Sequence, residues 1–249
     1  MGKNSKKYKS VFISDLHLGS KHCNSKELLE FLSKIHTEKL YLVGDIIDVW
    51  RLKKNWYWPK EHNQILRKIL KISEKTEVIY ITGNHDEVFR SFPDIRIGRV
   101  DVKHRHEHIG VDGKRYLVVH GDFFDSLMRT KTGRSIMHLG DVAYDSLIYL
   151  NKFVNGIRRL LRMQPWSLAK YLKRKAKVAA NYIGQFQEEM TLYCKRKGYD
   201  GIICGHIHHA EITEYDGVVY MNDGDWCESC TALVETHTGE WKIIKTSDL

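Results

Sequence analysis

The sequence predicts an α/β fold. The first observation is a set of short apolar runs, typical of buried strands, at 11–14, 40–43 and 78–82. The second is the helical patterning between these runs, where Ser25 is expected to cap one helix and Ile65, Ile69 and Ile72 mark one face of the next. The third is that strands and helices alternate, which favours a parallel βαβ core with ligands at the carboxyl ends of its strands.

The second half of the chain is expected to be more antiparallel. Turn sequences separate later strand-like runs at Asp112-Gly113, Asp216-Gly217 and Thr238-Gly239, and each predicts a hairpin. A helical insert at about 126–197 interrupts this half. The expected organisation is therefore one domain over residues 1–249 that carries a helical lid.

Composition excludes several classes of protein. The chain has 249 residues, of which 42% are hydrophobic, and its 13 Tyr, 8 Phe and 6 Trp supply enough apolar area for a folded core. It has no run of about 18 apolar residues that would span a bilayer. Five cysteines, an odd number, do not suggest a disulfide framework, and the N-terminal segment lacks the features of a secretion signal. A cytoplasmic location is expected.

The excess positive charge of the chain lies in one segment. Residues 146–187 contain no Asp or Glu but nine of the 40 Lys and Arg residues, which leaves 31 basic residues against 31 acidic ones elsewhere. Within it, a helical stripe of cations is formed by Lys170, Lys173, Arg174 and Lys177, and further cations flank a second apolar stripe at Arg158, Arg159 and Arg162. Ordinary amphipathic helices with solvated cations are one interpretation. The absence of acids favours the other, a surface for phosphate groups or an acidic membrane.

Five short polar clusters carry the predicted chemistry. Each follows a strand-like run: Asp15-Leu-His17, Gly44-Asp45-Ile-Ile-Asp48, Gly83-Asn84-His85-Asp86, His120-Gly121-Asp122 and Gly205-His206-Ile-His208. Carboxylates and imidazoles mixed in this way suit manganese, iron or zinc. Because side chains two apart in an extended strand point to one side, Asp-x-His and His-x-His are expected to direct two ligands each to a common centre.

Taken together, the five clusters resemble the signature of the calcineurin-like metallophosphoesterase superfamily, D-x-H, G-D-x-x-D, G-N-H-D, H and G-H-x-H. The resemblance implies two facing β-sheets flanked by helices (αββα). It also implies two divalent metal ions, most often Mn²⁺, with Fe or Zn as alternatives. One ion would be bound by Asp15, His17 and His208, and the other by Asn84, His120 and His206, with Asp45 bridging them. Two such ions would clamp a phosphate ester and lower the pKa of a water molecule.

The resemblance also assigns roles around the metals. His85 would stabilise the transition state or protonate the leaving group, so His85 and Asp45 are the predicted catalytic residues. Asp48 and Asp86 are expected to orient imidazoles from outside the ligand set, although Asp48 is also interpretable as an acid at a helix N-terminus.

Longer segments resemble the UDP-2,3-diacylglucosamine diphosphatase group of the lipid A pathway, or a sister branch of it. These segments include S-D-L-H-L-G-S, G-D-I-I-D-V-W and the closing G-H-I-H-H-A with N-D-G-D-W-C. This group hydrolyses a nucleotide-linked diacyl sugar to UMP and a diacyl sugar phosphate. The best-known members have Arg where this chain has His85. A peripheral position on the cytoplasmic face of the inner membrane would follow, with the cations of the lid contacting substrate.

Other functions and features stay open at this stage. The alternative enzyme is a metal-dependent phosphodiesterase or phosphatase acting on soluble nucleotides. Nucleic-acid binding is disfavoured, since the basic stripes alternate with apolar faces. Cys227 and Cys230 are interpreted as reduced thiols, and the histidines at 104, 106 and 108 as an exposed edge strand rather than an accessory metal site. Large aromatic residues at Trp50, Trp56, Tyr57 and Trp58 are either core packing or the wall of a binding pocket.

Overall fold

The structure is a computed structural model, and it describes residues 7–92, 95–124 and 168–249. The described residues form twelve strands: β1 (Lys7–Ile13), β2 (His36–Val43), β3 (Glu77–Ile81), β4 (Arg96–Ile97), β5 (Val100–Lys103), β6 (His106–Ile109), β7 (Arg115–Val118), β8 (Gly201–Cys204), β9 (Glu211–Tyr215), β10 (Val218–Asn222), β11 (Thr231–Glu235) and β12 (Trp241–Lys245). Their helices are α1 (Ser25–Lys34), α2 (Val49–Lys54), α3 (Lys60–Ile72) and α4 (Leu168–Lys197), with short 3₁₀ helices at Glu87–Ser91 and Thr246–Asp248.

The strands form two mixed sheets. One sheet has seven strands in the order β12-β11-β1-β2-β3-β5-β4, and β1, β2, β3 and β5 pair in parallel within it. The other has five strands in the order β6-β7-β8-β10-β9. The parallel βαβ core is therefore as predicted. The second half is less antiparallel than expected, because β8 pairs in parallel with both β7 and β10.

Alternation along the central strands produces two layers of core. In β1, Val11 and Ile13 face the layer that contains Phe31 of α1 and Ile65 of α3, whereas Phe12 faces the second sheet. The layer between the sheets joins Phe12 to residues of both sheets, among them Tyr41, Ile79, Val118, Ile203 and Met221. Two sheets face to face, with helices packed on the seven-stranded sheet, match the predicted fold class.

The three predicted turns are present, but the predicted helix cap is not. The turns at Asp112-Gly113, Asp216-Gly217 and Thr238-Gly239 each join neighbouring antiparallel strands. Ser25 was expected to cap α1, but it is the first residue of the helix, and Asn24 occupies the cap position without a side-chain hydrogen bond. The backbone N–H of Asn24 donates instead to the carbonyl of Trp226 at 2.8 Å, so the helix start is fixed by the fold.

The chain divides into two compact units, residues 1–124 with 189–249 and residues 125–188. The predicted helix through Lys170, Lys173, Arg174 and Lys177 lies within α4, where Lys177 is exposed. Arg158, Arg159 and Arg162 lie outside the described residues, as does the second predicted helix. Among the described residues, no helix combines the length and the apolar character needed to cross a membrane.

A buried polar cluster links the two sheets away from the five loops. β6 is an edge strand, as predicted for the 104–108 segment, but His108 is not exposed. Its Nε2 lies 2.9 Å from Oε2 of Glu235, and its Nδ1 lies 3.1 Å from the hydroxyl of Tyr41. Burial disfavours the charged form of Glu235, but hydrogen bonds from His108 and from the backbone of Val111 outweigh it and lower the pKa of this carboxyl.

We expect His108→Ala to lower the free energy of unfolding by about 3 kcal/mol near pH 7, because it leaves Oε2 of the buried Glu235 carboxylate without the imidazole that contacts it. Since the folded-state pKa of Glu235 is depressed, its contribution is present above the ordinary value of 4.5 and is lost as the pH falls below it. The difference in unfolding free energy between wild type and His108→Ala should therefore be smaller in acid. Urea unfolding at pH 7 and pH 3.5 measures this. His106→Ala, on the same strand, is the control, and an equal loss in both variants would contradict the prediction.

Candidate metal centre

The candidate site residues lie on five loops that follow strand ends. Asp15 and His17 follow β1, while Asp45 and Asp48 follow β2. Asn84, His85 and Asp86 follow β3. The remaining imidazoles follow the second sheet, with His120 after β7 and His206 and His208 after β8. Thus both sheets direct the carboxyl ends of their strands to one place, as the sequence predicts.

The carboxylate of Asp45 is the meeting point of these loops. Its Oδ2 lies 3.3 Å from Nε2 of His120, 3.9 Å from Nε2 of His17 and 3.9 Å from Nε2 of His85. The other oxygen, Oδ1, accepts a hydrogen bond from the backbone N–H of His85 at 2.8 Å. One carboxylate therefore has an oxygen that faces imidazoles from three separate loops.

The other candidate ligands surround this point. Oδ1 of Asp15 lies 3.1 Å from Nε2 of His208 and 3.7 Å from Nε2 of His17. The rings of His120 and His206 are 5.1 Å apart. Within the part of the chain that the structure describes, side chains that could hold a cation form three groups, of which two are Asp15 with His17 and His208, and Asp15 with Asp45 and His120. The third, His17 with Asp48 and His85, contains the hydrogen bonds of Asp48 described below.

Among the described residues, three buried atoms on these loops make no hydrogen bond of normal geometry: Oδ1 of Asp15, Oδ1 of Asn84 and Nε2 of His120. Two of them have only ionic neighbours, since Oδ1 of Asp15 faces Nε2 of His208 and Nε2 of His120 faces Oδ2 of Asp45. An unpaired buried polar atom costs about 1–3 kcal/mol, so three in one place require an explanation. All three are atom types that coordinate divalent cations. The residues present therefore fit the metal ions that the sequence predicts.

The loops reach this arrangement through backbone conformations that were not predicted. Asp15, His17, Asp45, His206 and His208 all have left-handed backbones, with φ between +47° and +70°. The prediction that strand alternation aligns Asp-x-His and His-x-His was therefore wrong in its cause, because these residues are not extended. Such conformations cost about 1–3 kcal/mol each in non-glycine residues and cluster at functional sites.

Close approach of the loops also restricts one glycine. A Cβ atom on Gly44, which has φ +86°, would overlap the ring of His120. That ring is fixed by the contact of its Nδ1 with the carbonyl oxygen of Val43 at 2.8 Å, which leaves Nε2 directed at Asp45. Gly44 thus leaves room for the imidazole of His120, and Asp45, the next residue, places its carboxylate against Nε2 of that ring.

Charge pairing dominates the electrostatics of the centre. Burial disfavours ionised Asp45, but the imidazoles of His120 and His17 outweigh it and lower the pKa of Asp45 to about 2. Burial likewise opposes protonation of His17, but Asp15 and Asp48 raise its pKa to about 10. In the absence of metal, these imidazoles share protons with the carboxylates, so that cation binding must displace protons.

Asp48 contacts two imidazoles at once. Its Oδ1 lies 2.9 Å from Nδ1 of His85, and its Oδ2 lies 3.3 Å from Nδ1 of His17. Both rings are thereby held with Nε2 directed at Asp45. Asp48 also accepts a hydrogen bond from the backbone N–H of Arg51 and caps α2, so the two interpretations of this residue are compatible.

Asp86 has partners other than the imidazole that was expected. It accepts hydrogen bonds from the backbone N–H groups of Gly83 at 2.6 Å and Ile46 at 2.8 Å, and from the hydroxyl of Tyr80 at 2.5 Å. Burial raises the pKa of its carboxyl, with the charge of Asp45 adding to the effect. Asp86 therefore joins the loops after β2 and β3.

Ser14 and Asp223 support the centre, and the sequence analysis assigned no role to Ser14. The hydroxyl of Ser14 lies 2.5 Å from Oδ2 of Asp15 and 2.6 Å from Oδ1 of Asp223, and all three residues are buried. Oδ2 of Asp15 also accepts the backbone N–H of His206 at 2.9 Å. These contacts turn the other oxygen of Asp15 toward His208. The sequence signal was slight, since Ser14 simply precedes Asp15 and Asp223 lies in N-D-G-D.

We expect Ser14→Ala to weaken Mn²⁺ binding about 10–100-fold, the usual effect of removing a group that orients a metal ligand. Isothermal titration calorimetry with Mn²⁺ measures the change directly. Ser33→Ala is the control, because the hydroxyl of Ser33 only contacts a carbonyl oxygen within α1. Unchanged affinity in Ser14→Ala would contradict the supporting role.

The cysteines, the aromatic residues at 50–58 and the histidines at 104–108 are not among the proposed metal ligands. All five cysteines are free, in agreement with the interpretation of Cys227 and Cys230. Trp58 packs against the core, while Trp50, Trp56 and Tyr57 are exposed. Among the described residues, the groups that could hold a metal do not include the histidines at 104, 106 and 108.

Comparison with known proteins identifies the family. Residues 8–210 match the calcineurin-like phosphoesterase family, and the chain belongs to it. The predicted family, fold class and general class of enzyme, a metal-dependent hydrolase, are thereby confirmed.

Several curated relatives are named UDP-2,3-diacylglucosamine hydrolase. The Psychromonas ingrahamii protein is 24% identical over 88% of this chain and 89% of its own, and the Neisseria gonorrhoeae protein is 25% identical over 87% and 89%. The Porphyromonas gingivalis protein is 29% identical, but the chain spans only 46% of that relative's length. Among solved structures, a novel archaeal phosphodiesterase aligns over 95% of this chain and 98% of its own, with 14% identity and a TM-score of 0.43.

Proposed function

We propose that this protein hydrolyses the pyrophosphate bond of UDP-2,3-diacylglucosamine, or a closely similar lipid-linked nucleotide sugar, to UMP and a diacyl sugar 1-phosphate in lipid A biosynthesis. The family supplies the reaction class, and relatives that align with most of the chain carry this substrate in their names. The observation that carries the proposal is the convergence of acidic and imidazole side chains from separate loops on Asp45.

The chain's residues fit two divalent ions, for which Mn²⁺ is our choice. Asp15, His17 and His208 would hold one ion, Asn84, His120 and His206 the other, and the carboxylate of Asp45 would be shared by both. When bound, such a pair neutralises charge on the phosphate and activates water. The unpaired atoms of Asp15, Asn84 and His120 support this assignment.

His85 is the proposed proton donor to the leaving oxygen. Its Nδ1 contacts Asp48, which leaves Nε2 facing the centre, 3.9 Å from Asp45. An imidazole fixed at one nitrogen can hold a proton at the other and release it to a departing phosphate oxygen. The ring of His17 packs at a right angle to that of His85, with centroids 4.7 Å apart, and limits its rotation.

The basic part of the helical insert is the proposed contact with the lipid-linked substrate. Lys170, Lys173, Arg174 and Lys177 occupy one stripe of α4 by their spacing, and Arg158, Arg159 and Arg162 add to the positive charge of the insert. Cations suit the two phosphates of the substrate and an acidic membrane surface. We therefore place the protein in the cytoplasm, peripheral to the inner membrane.

Reversing Lys170, Lys173, Arg174 and Lys177 together to Glu should lower binding to anionic liposomes at least tenfold, since each basic residue near such a surface contributes about 1 kcal/mol. Hydrolysis of a small chromogenic phosphodiester should be unchanged. The charge-matched control reverses Lys60, Arg67, Lys71 and Lys75, which are exposed cations on or just after α3. Equal loss of liposome binding in both variants would assign the effect to net charge alone.

A substrate panel tests the proposal. With Mn²⁺ added, UDP-2,3-diacylglucosamine, a de-acylated UDP-sugar, a cyclic nucleotide and single-stranded DNA are compared by UMP or phosphate release. The proposal expects UMP release that requires the acyl chains. Equal or faster hydrolysis of the soluble nucleotides would support the second enzyme class, a soluble-nucleotide phosphodiesterase, and contradict the lipid-linked substrate.

A further inference from the structure

A cavity of about 360 Å³ lies beside the proposed metal centre and is not used by the roles assigned so far. Residues of α2 and of the 3₁₀ helix after β3 line it, including Trp50, Lys53, Glu87, Arg90 and Ser91. His85 also lines this cavity, and its Nε2 is directed at Asp45. A group bound in the cavity therefore has direct access to the proposed proton donor. The volume is within the range of about 300–1,000 Å³ for small-molecule sites.

Trp50 forms an aromatic wall of this cavity. The ring lies 4.5 Å from that of His85, centroid to centroid, and inclined by 34° to it, while 43% of Trp50 remains exposed. α2 has no buried residue, so Trp50 is not part of the core, in contrast to the fully buried Trp226. An indole with this much exposed surface at a cavity wall is suited to stack on a planar group.

The polar lining favours an anionic, hydrogen-bonding ligand over an acyl chain. Lys53 contributes a cation one helical turn after Trp50. Arg90 is held in place by the carbonyl oxygen of Thr82 at 3.0 Å and by Asp122 at 2.9 Å. Glu87 and Ser91 add hydrogen-bonding groups at the same wall. An acyl chain would require a continuous apolar lining, which these residues do not provide.

We propose that this cavity binds a nucleoside monophosphate unit, with the base stacked on Trp50 and the phosphate near Lys53 and His85. The inference rests on the proposed function and deepens it, because it assigns the UMP half of the substrate to a defined wall of the site. A phosphate bound there would lie beside His85, which also lines the cavity.

UMP binding to the whole 249-residue chain, loaded with Mn²⁺, tests the inference. Isothermal titration calorimetry compares wild type, Trp50→Ala and Trp50→Phe with Trp56→Ala, a control whose residue is 78% exposed and does not line the cavity. Trp50→Ala should weaken UMP binding about tenfold or more, the scale of one base–aromatic stack, and Trp50→Phe should restore most of it. Ribose 5-phosphate, which lacks a base, should bind equally to all four proteins.

A second pair of variants tests the phosphate contact. Lys53→Ala should weaken the binding of UMP and of ribose 5-phosphate to the same extent. Lys54 is the neighbouring residue and does not line the cavity, so Lys54→Ala should leave both affinities unchanged. If Trp50→Ala weakens both ligands equally, or weakens neither, the stacking role is wrong.

A parallel assay separates failure of this inference from failure of the proposed function. Hydrolysis of a chromogenic phosphodiester with Mn²⁺ reports on the centre alone. If that activity is present and Trp50→Ala does not weaken UMP binding, only the cavity assignment fails. If wild type hydrolyses neither the chromogenic compound nor the lipid-linked substrate, the proposed function fails. The UMP titrations then still show, independently, whether the cavity binds a nucleotide.

Discussion

Asp45→Asn is expected to reduce hydrolysis of the lipid-linked substrate and of a chromogenic phosphodiester about 10³-fold or more. The carboxylate of Asp45 faces imidazoles from both halves of the proposed centre. An amide offers a neutral oxygen and an N–H₂ group in place of two anionic oxygens, so it bridges two cations poorly. Loss of several kcal/mol of charge stabilisation corresponds to a rate effect of this size.

The chain offers a matched control for this substitution. Asp216 has φ +51°, close to the +53° of Asp45, but it lies in an exposed hairpin turn. Asp216→Asn therefore makes the same chemical change in the same backbone conformation, at a residue that has no role in the proposed centre. Steady-state assays with excess Mn²⁺ and thermal unfolding of both variants provide the comparison. Near-normal activity of folded Asp45→Asn in excess metal would refute the bridging role.

His85→Ala should lower kcat about 10²–10⁴-fold, the range for removing a general acid, while the protein keeps its metal. His85 is hydrogen bonded to Asp48, and the backbone N–H of His85, which donates to Asp45, survives the substitution. Metal content by elemental analysis and kcat measured on the same preparation separate the two effects. The loss should be smaller for a substrate whose leaving group is a good nitrophenolate, because that oxygen needs less protonation.

His209→Ala is the control for this experiment. His209 is exposed, pairs with Glu211 at 3.5 Å and directly follows a proposed ligand. It should keep both metal and activity. If His85→Ala instead loses metal in proportion to activity, His85 is a ligand and the proton-donor role is wrong.

Much of the fold could be predicted because it depends on local patterns. The apolar runs at β1, β2 and β3 and the helical stripe of α3 are set by residue type at short spacing. The five loops were also visible, because each places polar residues directly after an apolar run. Asp15 and Asp45 could thus be assigned to the same edge of the sheet, at the carboxyl ends of its parallel strands, from the sequence alone.

The structure differs from prediction where distant contacts decide the outcome. In β6, residue type alone would bury Ile109 and expose His108, yet His108 is buried and Ile109 is exposed. The reason is Glu235, which follows His108 by 127 residues and accepts its hydrogen bond. Ser14 is likewise linked to Asp223, 209 residues later. Partners at such separations leave no periodic signal, and neither do the left-handed conformations of the ligand loops.

Anomalous X-ray diffraction at the manganese absorption edge, from crystals grown with Mn²⁺, tests the central claim most directly. We expect two peaks about 3.5–4 Å apart, the usual separation in two-metal sites, on either side of Asp45. Asp15, His17 and His208 should coordinate one, and Asn84, His120 and His206 the other. The absence of any peak among these side chains, or a single ion bound without Asp45, would contradict the account.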